Sequence, residues 1–394
     1  MNESYRALFV RGQPSQLIAA LAVAWLSFGM VGLSIFLTTH RATGSYGFAG
    51  VAVAAFSIGF GALAPLRGRL LDRRGARPWL LVFAAGYAVS LLAFSGLTQT
   101  GAGPWPFILL AAASGASAPP LIASLRALWP SVVEEPLLRR AYALTSVVGD
   151  VGLVAAPALA GVLFVWLAWL PLVICALSAI AAALIVTRNS RRRSVQGAAT
   201  ATAATRLLSQ GFVRLLAVEV ALGVALGLVG VAVPAAATRW GVTAYSGLLL
   251  AAFALGSVLG GIWFGQRRWQ ATPELRYLRA ALFLALGLLL PVAATSATSL
   301  APLLLIAGLA YGPATISLFE ALDNLTTSRA AEAFTWITTS GAIGTATGSA
   351  AAGWLTSTGL WASFAAASAT LTIAAASGLT EAARSRRKHP KPGG

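Results

Sequence analysis

The feature that most restricts what this chain can fold into is a series of apolar runs separated by short charged or Gly/Pro-rich breaks. A helix needs about 20 apolar residues to cross roughly 30 Å of hydrocarbon. Runs of that length predict twelve spans, at 17–39, 48–66, 78–98, 105–127, 141–164, 167–187, 211–234, 245–265, 277–296, 300–322, 333–355 and 359–380. They are too long and too uniformly apolar to be barrel strands, which alternate. Composition agrees. The chain is 58% hydrophobic and only 10% charged, where a soluble domain carries about 25% charged residues. Most of its surface must therefore face lipid, and the fold class expected is an all-α membrane protein.

A net charge of +17 over 394 residues would suit nucleic acid if the basic residues formed one face. They do not; they lie in the breaks between spans. With both termini inside, the cytoplasmic side receives Arg6, Arg11, the 67–77 loop, Arg126, Arg139, Arg140, the 188–214 segment, the 267–279 loop, Arg329 and the tail. Only Arg41 and Arg239 fall outside. The positive-inside rule then makes both termini cytoplasmic, in an inner (plasma) membrane, with lipid and not nucleic acid as the partner. Heavy use of Ala and Arg, with lysine only at Lys388 and Lys391, has the look of a high-GC bacterial genome.

The two halves repeat. Gly29-Met30-Val31-Gly32 matches Gly227-Leu228-Val229-Gly230, and Ala54-Ala55-Phe56-Ser57-Ile58-Gly59 matches Ala251-Ala252-Phe253-Ala254-Leu255-Gly256. In the fourth span Gly115, Pro120, Ser124 and Leu125 match Gly308, Pro313, Ser317 and Leu318. In the fifth, Ala141-Tyr142, Gly149, Gly152 and Gly161 match Ala333-Phe334, Gly341, Gly344 and Gly353. Matches in one order at one spacing imply a duplicated six-helix bundle. Six is even, so the repeats are parallel, an arrangement in which two halves rock about a central site. The expected division is an N-terminal bundle over 1–187, a cytoplasmic linker over 188–210, a C-terminal bundle over 211–380 and a basic tail over 381–394.

The loop after the second span reads Gly68-Arg69-Leu70-Leu71-Asp72-Arg73-Arg74-Gly75-Ala76-Arg77. It resembles the signature Gly-x-Leu-x-Asp-Arg-x-Gly-Arg-Arg of the major facilitator superfamily, with Ala76 where a basic residue is usual. In the second half Gly265, Arg267 and Arg268 remain, but Trp269 replaces the acid. The resemblance covers essentially the whole chain and implies a transporter working by alternating access. In such a loop Gly68 would allow close helix approach. Asp72, with Arg73, Gly75 and Arg77 around it, would form a conformational latch by pairing with Arg126 or Arg139. The fifth span, Gly149-Asp150-Val151-Gly152 through Pro157 to Gly161, partly resembles the antiporter signature of drug–proton exporters, Ala156 standing where Gly precedes proline. Its small residues would let the helix bend and pack against a partner in the other half.

Chemistry is confined to few residues. The single cysteine, Cys175, permits no disulfide within the chain. His40 and His389 lie at opposite ends of the topology, so no metal site is expected. No phosphate-cradling Gly-Lys-Ser/Thr loop is present, so ATP coupling is not expected either. The expectation is a protein that is not an enzyme and has no cofactor, with the proton gradient as its energy source. Of the acids, Glu3, Asp72, Glu134, Glu135, Glu274 and Glu381 fall in loops or termini, and Glu320, Asp323 and Glu332 near cytoplasmic helix ends beside Arg329. Asp150 and Glu219 lie about two turns inside spans, where an ionised carboxylate costs several kcal/mol. Helical geometry places Asp150 on a face with Pro157 and Gly161, and Glu219 with Gly223 and Gly230. Both are candidates for proton coupling.

A substrate path between the halves would draw on Trp25, Phe28, Phe56, Tyr311, Phe319, Phe334 and Trp336. Few fixed charges and very few Asn or Gln lie in the spans, which suits a small amphipathic molecule held by apolar contacts. The function expected is proton-coupled efflux of a drug or secondary metabolite by a monomer. Uptake of a neutral solute such as a sugar or amino acid is the alternative, and a non-transport assembly protein the alternative of another class.

Overall fold

Long apolar stretches without interior breakers become helices, because in lipid a helix satisfies its own backbone polar groups. The computed structural model describes residues 12–74, 76–189, 210–325 and 330–388, and every regular element among them is helical. The linker 190–209, Gly75, the tail beyond 388 and the side chains of Asp72, Arg73, Arg139 and Phe334 lie outside the described residues. The chain divides into two compact units, Met1–Ala203 and Ala204–Gly394.

In the first unit α1 (Gln13–Thr43) runs to a left-handed glycine, Gly44, whose N–H closes on the His40 carbonyl. Ser45 then caps α2 (Tyr46–Ala62), its hydroxyl accepting from the Phe48 N–H. There follow α3 (Ala64–Arg74), α4 (Ala76–Leu97), α5 (Pro104–Ser117), α6 (Leu121–Val132), α7 (Glu135–Trp166) and α8 (Leu170–Asn189). The core lies where α1 packs on α7 and α8, and α2 on α5. In the second unit α9 (Gln210–Arg239), α10 (Ser246–Gly265), α11 (Pro273–Gly287), α12 (Ala297–Gly308), α13 (Tyr311–Leu325), α14 (Ala330–Thr358) and α15 (Leu360–Lys388) follow the same plan, with α9 packed on α14 and α15, and α10 on α12.

Eleven helices, or collinear helix pairs, among the described residues are long and apolar enough to cross a membrane. The expected eleventh span corresponds to α14, a 29-residue helix that is not among them. Its Gly-, Thr- and Ser-rich sequence serves packing against α9 and lowers its hydropathy. Several spans expected as continuous helices are broken, the second at Leu63 between α2 and α3. The fourth breaks between α5 and α6, where Pro119 and Pro120 remove successive backbone donors. The tenth breaks between α12 and α13.

Candidate functional site

Duplication is visible in the contacts themselves. A Cβ on Gly115 would collide with the Phe56 carbonyl and the Phe60 N–H, and one on Gly59 with the Ala112 carbonyl. In the second unit a Cβ on Gly308 would strike the Phe253 carbonyl, and one on Gly256 the Leu305 carbonyl. These are the residues that the sequence repeat pairs. Both units therefore use missing side chains to bring the second and fourth spans backbone to backbone.

The packing of first on fifth span differs. In the second unit Gly223 and Gly227 of α9 meet Gly341, Gly344 and Gly348 of α14. In the first, Trp25 stands at the repeat position of Gly223, its indole against Gly149 and its Cβ against Gly152 of α7. Glycine in one helix thus makes room for tryptophan from the other.

Glu219 occupies the corresponding notch of the second unit. A Cβ on Gly341 would stand 3.0 Å from Glu219 Oε1. The phenol of the fully buried Tyr277, on α11, donates to Glu219 Oε2 at 3.0 Å. Tyr311 lies against Phe253 with ring centroids 5.8 Å apart, tilted by 39°. Among the described residues Glu219 forms no ion pair. It lies about 13 Å along α9 from the helix start. An acid with one hydrogen bond and no countercharge at such depth can bind and release a proton as a discrete change of charge in an apolar setting.

One turn of α11 ties this acid to a charged layer. Glu274 pairs with Arg214 of α9 at 2.9 Å, and Arg276 with Glu320 of α13 at 2.5 Å. Glu320 was expected beside Arg329, which lies outside the described residues; Arg276 pairs with it, and Glu274, read as a loop acid, opens α11. Trp269, at the lost acid's position, stacks on Phe264 at 4.7 Å and donates its indole N–H to the Phe264 carbonyl.

Several expectations need correcting. Asp150 is exposed on α7, and the buried stripe runs one residue away through Gly149, because consecutive helical residues point about 100° apart. Within its own unit, Gly149 and Gly152 of that stripe face Trp25 of α1, and Gly29 of α1 meets Ala156 and Pro157. Among the described residues of its own unit, nothing lies within 4 Å of where a Gly68 Cβ would stand. Its neighbour Arg67, expected in a loop, is buried inside the helical segment Tyr46–Leu71. Arg77 and Arg126 are exposed, and the proposed pairing of Asp72 falls outside the described residues.

The aromatic candidates fall into separate groups. Trp25 meets Phe28 edge-on at 5.5 Å, and Phe60, which sequence reasoning missed, bridges Phe28 and Phe56 at 6.1 and 6.3 Å. Phe319 and Trp336 are exposed. Tyr277 was also missed. A tyrosine inside a charged helix start carries a weak signal, yet its phenol donates to Glu219.

Duplicated helical bundles in lipid, with a half-buried acid inside a span of one of them, define a polytopic membrane transporter. The Major Facilitator Superfamily profile matches residues 17–330, and the chain belongs to that family of secondary transporters. Similar solved structures include the D323A mutant of the nucleoside transporter NupG, at 11% identity and TM-score 0.73 over 94% of this chain and 99% of that one. A bacterial homologue of the iron transporter ferroportin, in an inward-facing state, matches at 15% identity and TM-score 0.72, covering 93% and 97%. The human organic anion transporter MFSD10 matches at 18% identity and TM-score 0.63, covering 92% and 97%. At these identities the likeness is one of fold. None of the curated proteins matches the chain.

Proposed function

We propose that this transporter exports small amphipathic or apolar molecules in exchange for protons, as a monomer with twelve spans and both termini in the cytoplasm of a bacterial inner membrane. The observation that carries the reading is Glu219: a carboxyl inside a span, hydrogen-bonded by Tyr277 and seated against Gly341. When Glu219 binds a proton it loses its charge, and the Tyr277 phenol loses its anionic acceptor. When it releases the proton, the charge and the stronger hydrogen bond return. That alternation couples the carboxyl to α11, the helix whose first turn also carries the ion pairs to α9 and α13. Asp150 is a second candidate proton carrier.

The aromatic groups around Trp25, Phe28 and Phe56, and around Tyr311, supply apolar contact surface of the kind an amphipathic substrate needs. The scarcity of fixed charge in the spans supports the same substrate class.

The test is an accumulation screen across drug-like and metabolite libraries, in cells lacking other exporters, with and without a proton uncoupler. Uncoupler-sensitive exclusion of at least one amphipathic compound, lost in Glu219→Gln while the protein still inserts, is the expected result. Uncoupler-insensitive transport, or uptake of a neutral polar solute, would replace this reading with facilitated import.

A further inference from the structure

Arg67 is the only charged side chain among the buried described residues, at 3% exposure. It lies within the span-forming segment Tyr46–Leu71, where an arginine is costly and calls for a reason. Among the described residues it forms no ion pair. Its partners are backbone carbonyls. Nη1 donates to Gly115 O at 2.8 Å, to Ala118 O at 2.8 Å and to Ala116 O at 3.4 Å, while Nη2 donates to Phe60 O. The Phe60 ring lies 4.9 Å from the guanidinium carbon.

Each acceptor has a cause in the sequence. In an unbroken helix the Gly115 and Ala116 carbonyls would receive the N–H groups of residues 119 and 120, but both are proline and have none; the Ala118 N–H reaches the Gly115 carbonyl at 3.2 Å, and the guanidinium adds a second donor there. The break of α5 at Ala118 leaves that carbonyl outside the ladder. The break at Leu63 separates Phe60 in α2 from Ala64 in α3, whose N–H an unbroken helix would hand to the Phe60 carbonyl. The C-terminal ends of α2 and α5, the negative ends of their dipoles, thus converge on one point. In a membrane, carbonyls that lose their helical donors in this way must be satisfied from elsewhere.

The geometry points to a cation site formed by the carbonyls of Phe60, Gly115, Ala116 and Ala118, in which Arg67 is the resident, tethered cation that holds the fourth span in its broken shape. The second unit has no need of one. Gly312 stands where Pro119 does, Phe264 stands where Arg67 does, and the break there closes by contact of Gly312 with the Ser257 and Gly261 backbone. A free cation of guanidinium chemistry is therefore the ligand that the emptied site of an Arg67→Ala variant would take.

The experiment is thermal unfolding of the purified full-length chain in detergent. Wild type, Arg67→Ala, Arg67→Lys and Arg67→Met are compared in millimolar guanidinium chloride and in tetramethylammonium chloride at equal ionic strength. Arg67→Ala is expected to unfold several degrees below wild type, and guanidinium, which can donate hydrogen bonds, to recover most of that loss. Tetramethylammonium, which cannot, is expected to recover none, and wild type to gain nothing from either salt. Equal effects of the two salts on Arg67→Ala would overturn the proposal. If Arg67→Ala does not accumulate, the other pair decides: lysine keeps charge and donors and must outlast methionine, and methionine equal to or above lysine would overturn the proposal.

Discussion

The first and fifth spans of each unit are built on one plan and used in two ways. In the first unit Trp25 fills the space over Gly149 and Gly152, a large apolar ring wedging α1 against α7. In the second, Gly223 removes that wedge, α9 and α14 come together at their backbones, and the space over Gly341 receives the Glu219 carboxyl. After duplication, one copy of the joint is packed dry and the other holds an acid. The broken fourth spans diverge in the same way, by a proline pair and a buried arginine in one unit and by glycine contact in the other. What is shared is the glycine approach of second on fourth span; what differs is where charge is stored.

The largest effect is expected where the units agree. Gly115→Leu and Gly308→Leu should each cost about 1–3 kcal/mol or more, because the collisions are with backbone and cannot be relieved by a rotamer change. Thermal unfolding and membrane yield would measure it, and a clear difference between the two variants would break the equivalence drawn from the repeat. Next comes the acid's notch. Gly341→Ala should displace the carboxyl and cut proton-coupled transport several-fold at normal protein yield. Gly149→Ala, which meets only an indole edge at 3.1 Å, should leave transport near wild type. Parallel transport assays on the two variants test that contrast.

Smaller still in its effect on maximal transport is Tyr277→Phe, which removes the phenol's hydrogen bond to the Glu219 carboxylate and keeps the ring. It is expected to shift the pH profile of transport while leaving maximal transport largely intact. Smallest is Glu320→Gln. Its pair with Arg276 is half open to solvent, with Glu320 at 46% exposure, and such pairs contribute about 0–1 kcal/mol. A small change in melting temperature that fades with added salt is the expected reading.

The spans were legible because hydropathy is a bulk signal that survives uncertain ends, and the repeat because its glycines recur at fixed spacing. Glu219 was legible for a related reason, as an acid where lipid tolerates few. Arg67 was not, although its cause was in plain view: Pro119-Pro120 cannot supply helical N–H groups to the Gly115 and Ala116 carbonyls, and the guanidinium that reaches them comes from 48 and 49 residues earlier in the chain, a pairing that no local pattern encodes. Asp150 shows the reverse. Its neighbours are small, but the face that packs is set by Trp25 on another helix, and one helical step separates the buried glycine from the exposed acid. The low hydropathy of α14 likewise follows from what it packs on, since backbone contact with α9 selects glycine over leucine.

The most direct test of the acid's role uses the purified chain in proteoliposomes, with a substrate taken from the accumulation screen. Glu219→Gln should retain exchange of labelled for unlabelled substrate in the absence of a pH gradient and lose accumulation driven by one. Gradient-driven accumulation at the wild-type level in that variant would contradict the account.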